Sequence, residues 1–431
     1  MQASRWFAAL LFACNIVLAG ALGFAVSHSA PLSLLIGLFA LAALPMVQVH
    51  TMAWSEPLFI ALQLGGTLAL LFYLGNGDRR GLILASAVFG SAVLVRYAGL
   101  AVLLAGIAGV LLLSERRWGG RIIDTIIFTA IGFLPMTAWL VRNMWATGSL
   151  VNRSFSIHPI SGEQIAVVFH ILTGWLSFSW LMSFNATSAS LMVLTLGGVA
   201  WFSLEARRKN STQLSGEINV FPAIYFLIIV VLSYLFMLLG SVSFLDAWVP
   251  LDTRLLSPIY VPLLVVTLFL GARLWHSSRL SGFSRVVTAF CLMLTLAALT
   301  ARSINWLEVS YHDGVGYAAG AWRNSETLAK LDSLPAANGI YSNAPDILYV
   351  LRGTPAAMIP RKIDPHTSRP NQRFVSEMIQ LKRRLNEERA MLVFFNGVSW
   401  RWYLPTVAEI EETIGMRPVV RARDGLIFRD P

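Results

Sequence analysis

Long apolar runs separated by short polar turns fill the chain from Trp6 to Ala301. A hydrocarbon core of roughly 30 Å takes about 20 helical residues, and on that measure the pattern predicts about ten membrane spans. They are Trp6–Ser27, Pro31–Gln48, Pro57–Gly75, Gly81–Val95, Ala98–Leu113, Ile122–Val141, Ser188–Leu204, Val220–Leu239, Leu256–Ala272 and Val286–Ala301. The two runs around Arg96 are short, and read either as one broken helix or as two that do not fully cross. Gln164 to Phe184, with His170, Trp175 and Trp180, is amphipathic and reads as an interfacial helix.

After Arg302 the pattern changes. Charged helical stretches such as Phe374–Arg389 mix with short β-like runs: Gly339–Asn343, Met391–Phe395 and Gly425–Arg429. That alternation predicts a small α/β domain. The expected fold is therefore a polytopic α-helical membrane domain over residues 1–302, followed by a soluble extracytoplasmic α/β domain over 303–431.

Composition agrees with the membrane reading. Of 431 residues, 56% are hydrophobic and 13% charged, against about 25% charged in soluble proteins; the mean hydropathy is +0.64. The net charge of +10 raises the question of nucleic acid, but the basic residues form no stripe with interleaved aromatics. They sit in short clusters between apolar runs, as in cytoplasmic loops facing anionic lipid. Cys14 and Cys291 both lie in apolar segments, so neither a disulfide framework nor a cysteine metal site is expected.

These clusters orient the chain. Arg79–Arg80, then Arg116, Arg117 and Arg121, then Arg207–Lys209, then Arg273, Arg279 and Arg285 occupy alternate loops, which the positive-inside rule assigns to the cytoplasm. The intervening loops, with His50, Glu56, Arg96, Tyr97, Arg142 and Arg254, then face outwards, as does everything after Arg302. On this alternation the first span runs inwards. Either Trp6–Ser27 is a signal peptide, or an upstream span and loop precede this sequence; the second reading is preferred, because the segment is long for a signal and lacks a cleavage pattern.

The polar residues at the outward face are the candidate chemistry. Ser55, Glu56 and Pro57 suit a helix start, with Ser55 as N-cap and the carboxylate complementing the dipole. His50 lies one loop earlier, and the pair is a candidate metal or acid–base site, although two residues fall short of a ligand set. Arg96 interrupts an apolar context, where a central arginine costs roughly 2.5–3.5 kcal/mol, and its outward position favours an anion contact; Tyr97 beside it suits an interface aromatic. Asp252 and Arg254 can pair with each other, or Arg254 can hold a phosphate where the next helix begins. Arg142 and Asn143 read as interfacial anchors. One acid and several cations at one depth suit an anionic lipid headgroup.

The succession "SEPLF", "LVRYAGL", "WLVRN" and "DTRLLSPIY" resembles the GT-C glycosyltransferases. It resembles most the branch with protein O-mannosyltransferases, the aminoarabinose transferase of lipid A and Rgt-type lipopolysaccharide galacturonosyltransferases. The likeness covers most of residues 1–302, and the tail is similar to the periplasmic domains that often end such chains. It implies a bacterial inner-membrane enzyme that moves a sugar from a polyprenyl-phosphate donor to a hydroxyl acceptor on the outer face. Glu56 matches an acidic residue lining the site, a candidate holder of a divalent metal; Arg254 and Tyr260 match the donor-phosphate motif, with Arg96 a further match. The family's principal catalytic Asp lies in a first outer loop that this sequence does not contain, so a misassigned start, a truncation or a loss of catalysis is implied. A transporter or flippase, or a non-catalytic protein on the same fold, are the competing readings.

Overall fold

The computed structural model describes residues 2–150, 155–176, 221–246, 249–276 and 281–429. They cluster into two units. The first holds α1 (Gln2–Ser27), α2 (Ala30–Ala42), α3 (Leu44–Thr51), α4 (Glu56–Asn76), α5 (Arg79–Val95), α6 (Gly99–Leu113), α7 (Trp118–Thr147) and α8 (Gly162–Leu176). It continues with α9 (Phe221–Phe244), α10 (Thr253–Leu256), a 3-10 turn (Ser257–Ile259), α11 (Tyr260–Trp275) and most of α12 (Gly282–His312).

Six of these helices are long and apolar enough to cross a membrane, or seven if the bent α2–α3 pair counts as one span. This corrects the expectation of about ten. The run Ser188–Leu204 lies outside the described residues. The two runs around Arg96 are separate helices of 17 and 15 residues, about 25 and 22 Å long and so short of the hydrocarbon thickness. The run Pro31–Gln48 bends by 53° between α2 and α3. The break is at Ala43, whose backbone is extended (φ −72°, ψ 117°); Pro45, two residues on, has no N–H to continue the helix onto Leu41 O, and its ring crowds that carbonyl.

Burial sorts the spans. α4 and the run Thr253–Trp275, which ends in α11, have 56% and 67% of their apolar windows buried, while α7 has 17% and α12 6%. The first pair forms the centre of the bundle, and the second presents apolar side chains outwards, as lipid contact requires. α5 and α7 approach closely: a Cβ on Gly90 would stand 2.6 Å from the carbonyl oxygen of Gly132. The core between helices is aromatic, with Phe59, Phe89, Phe128, Phe226 and Tyr234 all buried.

The second unit takes in residues 309–429 with 155–157 and 244–246. The division at 308/309 falls inside α12, six residues beyond Arg302. Its elements are α13 (Glu326–Asp332), β1 (Ile340–Ser342), α14 (Pro345–Arg352), β2 (Ala357–Met358), α15 (Phe374–Glu387), β3 (Met391–Phe395), α16 (Val407–Ile414), β4 (Val420–Ala422) and β5 (Gly425–Arg429). The sheet order is β2-β1-β3-β5-β4, parallel across β2, β1 and β3 and antiparallel across β3, β5 and β4. Alternation along the strands loads both faces. Leu392, Leu426 and Phe428 pack with Met378, Leu381, Leu385 and Ile410 from α15 and α16. Met391, Val393 and Ile427 pack with Leu328, Ile347 and Leu348 from α13 and α14.

Candidate functional site

α4 begins at Glu56, with Pro57 in its first turn, where a missing N–H costs no hydrogen bond. Ser55 does not cap it. Its backbone is helical (φ −82°, ψ −14°) and its side chain makes no capping bond; instead its Oγ accepts from Arg96 Nη1 at 3.1 Å. Glu56 is fully buried.

Two arginines converge on that carboxylate. Arg96 occupies the break between α5 and α6 in extended backbone (φ −152°, ψ 138°), and its Nη1 pairs with Glu56 Oε1. The reversal into α6 is tight, since a Cβ on Gly99 would lie 2.5 Å from the backbone of Ala92 and Val93; glycine removes that clash. The second cation is Arg254 of α10, whose Nε donates to the same oxygen at 2.5 Å. Its guanidinium also lies over the Trp54 ring, 4.4 Å from the centroid, a cation–π contact that fixes the plane of the fork.

Asp252 and Arg254, adjacent enough to pair, do not. Asp252 is the N-cap of α10 and accepts from Leu255 N at 2.9 Å, leaving Arg254 to Glu56. Three further bonds hold this segment. Ser257 Oγ donates to Arg254 O at 2.8 Å, Tyr234 Oη donates to Leu255 O at 2.9 Å, and Gln63 Nε2 donates to Pro258 O at 2.9 Å. Tyr234 is also near enough to feel the charges of both Arg96 and Glu56. Neither Tyr234 nor Gln63 was singled out from the sequence. Gln63 had a signal, being seven residues after Glu56 and so on the same helix face; Tyr234, within an apolar run, had none.

The other candidate residues fall into three places. Arg96 and Tyr97, with Val93, Leu94, Met136 and Trp139, line a cavity of about 150 Å³. Trp139 Nε1 donates to Tyr97 Oη at 3.4 Å, and Arg142 stacks over the same indole at 4.9 Å, so Arg142 flanks the cavity without reaching Glu56. Tyr260 is buried and sets its ring edge-on to Trp175, 5.4 Å between centroids; its contact is packing.

His50 is accounted for by structure alone. Its Nδ1 lies 2.6 Å from Met46 O, and a carbonyl only accepts, so Nδ1 carries the proton. Nε2 then accepts from Asn15 Nδ2 at 2.9 Å. Asn15, on α1, also donates to Pro57 O at 2.9 Å, tying α1 to the start of α4. Both ring nitrogens are occupied, leaving none for a metal. Glu56 is no better suited, because its neighbours are two guanidinium groups, which oppose a divalent cation. Among the described residues no group of three or more His, Cys, Asp or Glu could hold one.

The cluster therefore has one carboxylate and two cations, and the cations share one oxygen. Glu56 Oε2 is buried with no hydrogen-bond partner among the described residues. Arg254 keeps 39% of its side chain exposed and Arg96 15%. The arrangement can take an anion at the exposed guanidinium edges.

No family model matches the chain, and no curated protein matches it.

Proposed function

We propose that this protein is a membrane glycosyltransferase, moving a sugar from a polyprenyl-phosphate donor to a hydroxyl of a lipid, glycan or protein acceptor. Carrying the reading is one observation: a buried carboxylate gathers two arginines from remote turns, and one of them, Arg96, lines a cavity with apolar and aromatic side chains. A lipid phosphate needs cations for its charge and an apolar wall for its chain, and these residues supply both.

In the reaction, the bond from the sugar's anomeric carbon to the donor phosphate breaks and a bond to the acceptor oxygen forms. The acceptor's proton passes to the departing polyprenyl phosphate, which leaves with the electron pair. Arg96 and Arg254 stabilise the charge growing on that phosphate. Glu56 is the buried anchor that positions them. Trp54 keeps Arg254 in plane, and Tyr97 and Trp139 line the entry for the chain.

The same proposal places the protein in a bacterial inner membrane, with Glu56 and the α/β unit on the periplasmic side. The alternation of basic loops supports that orientation. A transporter would concentrate polar groups near the bilayer midplane, whereas Glu56 opens its helix and Arg96 follows the end of another.

Membranes carrying the wild type, Glu56→Gln or Arg254→Ala, supplied with a labelled polyprenyl-phosphate sugar, test the proposal. Sugar transfer by the wild type and its loss in both variants support it. Equal turnover in all three removes the site, and donor movement across the bilayer without transfer favours the transporter.

A further inference from the structure

A second charged cluster lies at the other end of α4. Asp124 of α7 is fully buried. Its Oδ1 accepts from Arg79 Nε at 2.9 Å, and its Oδ2 accepts from Arg116 Nη1 at 3.0 Å and from Tyr73 Oη at 2.8 Å. One carboxylate thus staples the α4–α5 turn to the α6–α7 turn.

α5 and α7 leave this staple in the same direction. Ser86 Oγ donates to Phe128 O at 2.5 Å, and Gly90 meets Gly132 further on, so contacts advance together along both helices. Parallel helices that begin together bring their partial positive ends together. Neither has an acidic residue in its first turn.

Around these two helix starts, the segments 77–80 and 114–124 hold five arginines and three acids. Of the acids, Asp124 is buried and Asp78 accepts from Arg80 N at 2.9 Å as the cap of α5; Glu115 is the third. Arg79 is 49% exposed and Arg116 36%. Arg79 spends only Nε on Asp124. Arg80 and Arg117 are exposed and make no side-chain hydrogen bond among the described residues. Arg121 is fixed by Nε to Arg116 O at 2.7 Å, with its guanidinium 5.2 Å from the Trp118 ring centroid. Trp118 itself is 65% exposed, and exposed Phe72 and Ile122 stand in the same turns of α4 and α7.

From this geometry we infer that the α4–α5 and α6–α7 turns form a binding site for the phosphate of an anionic phospholipid. Arg79, Arg80, Arg117 and Arg121 present guanidinium edges to the phosphate, and Asp124 holds the two turns in register. The exposed Trp118, Phe72 and Ile122 supply the apolar surface that a lipid chain needs and a free phosphate does not; an indole at this level is the usual interface anchor. The inference is independent of the sugar-transfer reading.

The purified full chain in phosphatidylcholine nanodiscs, titrated with phosphatidylglycerol, tests it through the thermal midpoint and through lipid retained in native mass spectrometry. The comparison is Arg80→Gln/Arg117→Gln, whose side chains make no bond to lose. A control of equal charge, Arg369→Gln/Arg423→Gln, lies in the α/β unit. The expected result is weaker phosphatidylglycerol binding by about fivefold per arginine in the first variant, with the control unchanged. Equal retention by the first variant and the wild type overturns the site, and so does a matching loss in the control. A midpoint shift from inorganic phosphate as large as that from the lipid shows an anion site without lipid recognition, and overturns it too.

Discussion

Arg254 Nε donates to Glu56 Oε1 at 2.5 Å across a sequence separation of 198 residues, and the bond ties the start of α4 to the turn before α11. The fork lies against Trp54, so two neighbours set its plane. A lysine would keep the charge but lose the fork and most of the stacking.

On the proposed function, Arg254→Ala lowers sugar transfer by about 10²–10³-fold, the range seen when one group stabilising transition-state charge is removed. Arg254→Lys recovers only part of it. Turnover of labelled donor in washed membranes checks both, and full activity in the lysine variant contradicts the role of the planar fork.

Glu56→Gln keeps the shape of the side chain and removes its charge. Deleting one partner of a buried ion pair costs about 3–5 kcal/mol. Here the loss is smaller, on the order of 1–3 kcal/mol, because Arg254 is 39% exposed and turns to water. The thermal midpoint falls, and transfer falls further because both arginines lose their common anchor. A midpoint equal to the wild type contradicts the anchor.

Gly90 and Gly65 make a matched pair within the bundle. A methyl on Gly90 meets backbone of Gly132 at 2.6 Å, whereas nothing lies within 4 Å of one on Gly65. Gly90→Ala therefore forces α5 from α7 and destabilises by about 1–3 kcal/mol. Gly65→Ala gains helix propensity, by up to about 1 kcal/mol. Opposite shifts of the thermal midpoint are expected.

The α/β unit has its own pH signature. Burial pushes the Asp424 carboxyl up, but hydrogen bonds from Ser325 Oγ, Thr327 Oγ1 and backbone N–H groups outweigh it and hold the group below its usual value. A lowered folded value favours the charged, folded form. Its contribution is complete above the unfolded value of about 3.9 and fades as pH falls through the folded one. Hydrogen exchange of β5 amides in the full chain, at pH 7 and pH 3, reads this. Asp424→Asn weakens protection at pH 7 and narrows the difference between the two pH values.

Much of the architecture was legible because its cause is local. Apolar periodicity marked the long helices, and β-rich runs marked β3 and β5 within the observed bounds. Two- and three-residue strands such as β2 and β4 carry too few positions for a pattern. Counting hydrophobic runs gave more spans than six or seven, because α5 and α6 are apolar runs shorter than the usual hydrocarbon thickness.

Sequence by itself determined which polar residues share an end of the bundle, since apolar helices of near-membrane length leave their charges only at their ends. It assembled Glu56, Arg96, Arg142 and Arg254 on that ground, and of these Arg142 turns to Trp139 instead of Glu56. Only the tertiary structure decided the partners. It sent Arg254 to Glu56 and made Asp252 a cap, took Ser55 from capping to Arg96, closed His50 with Asn15, and placed buried Asp124 under two arginines that had read as loop charges. A hydrogen bond is a matter of a few ångströms, and for groups hundreds of residues apart that distance is set by how helices pack and by nothing local.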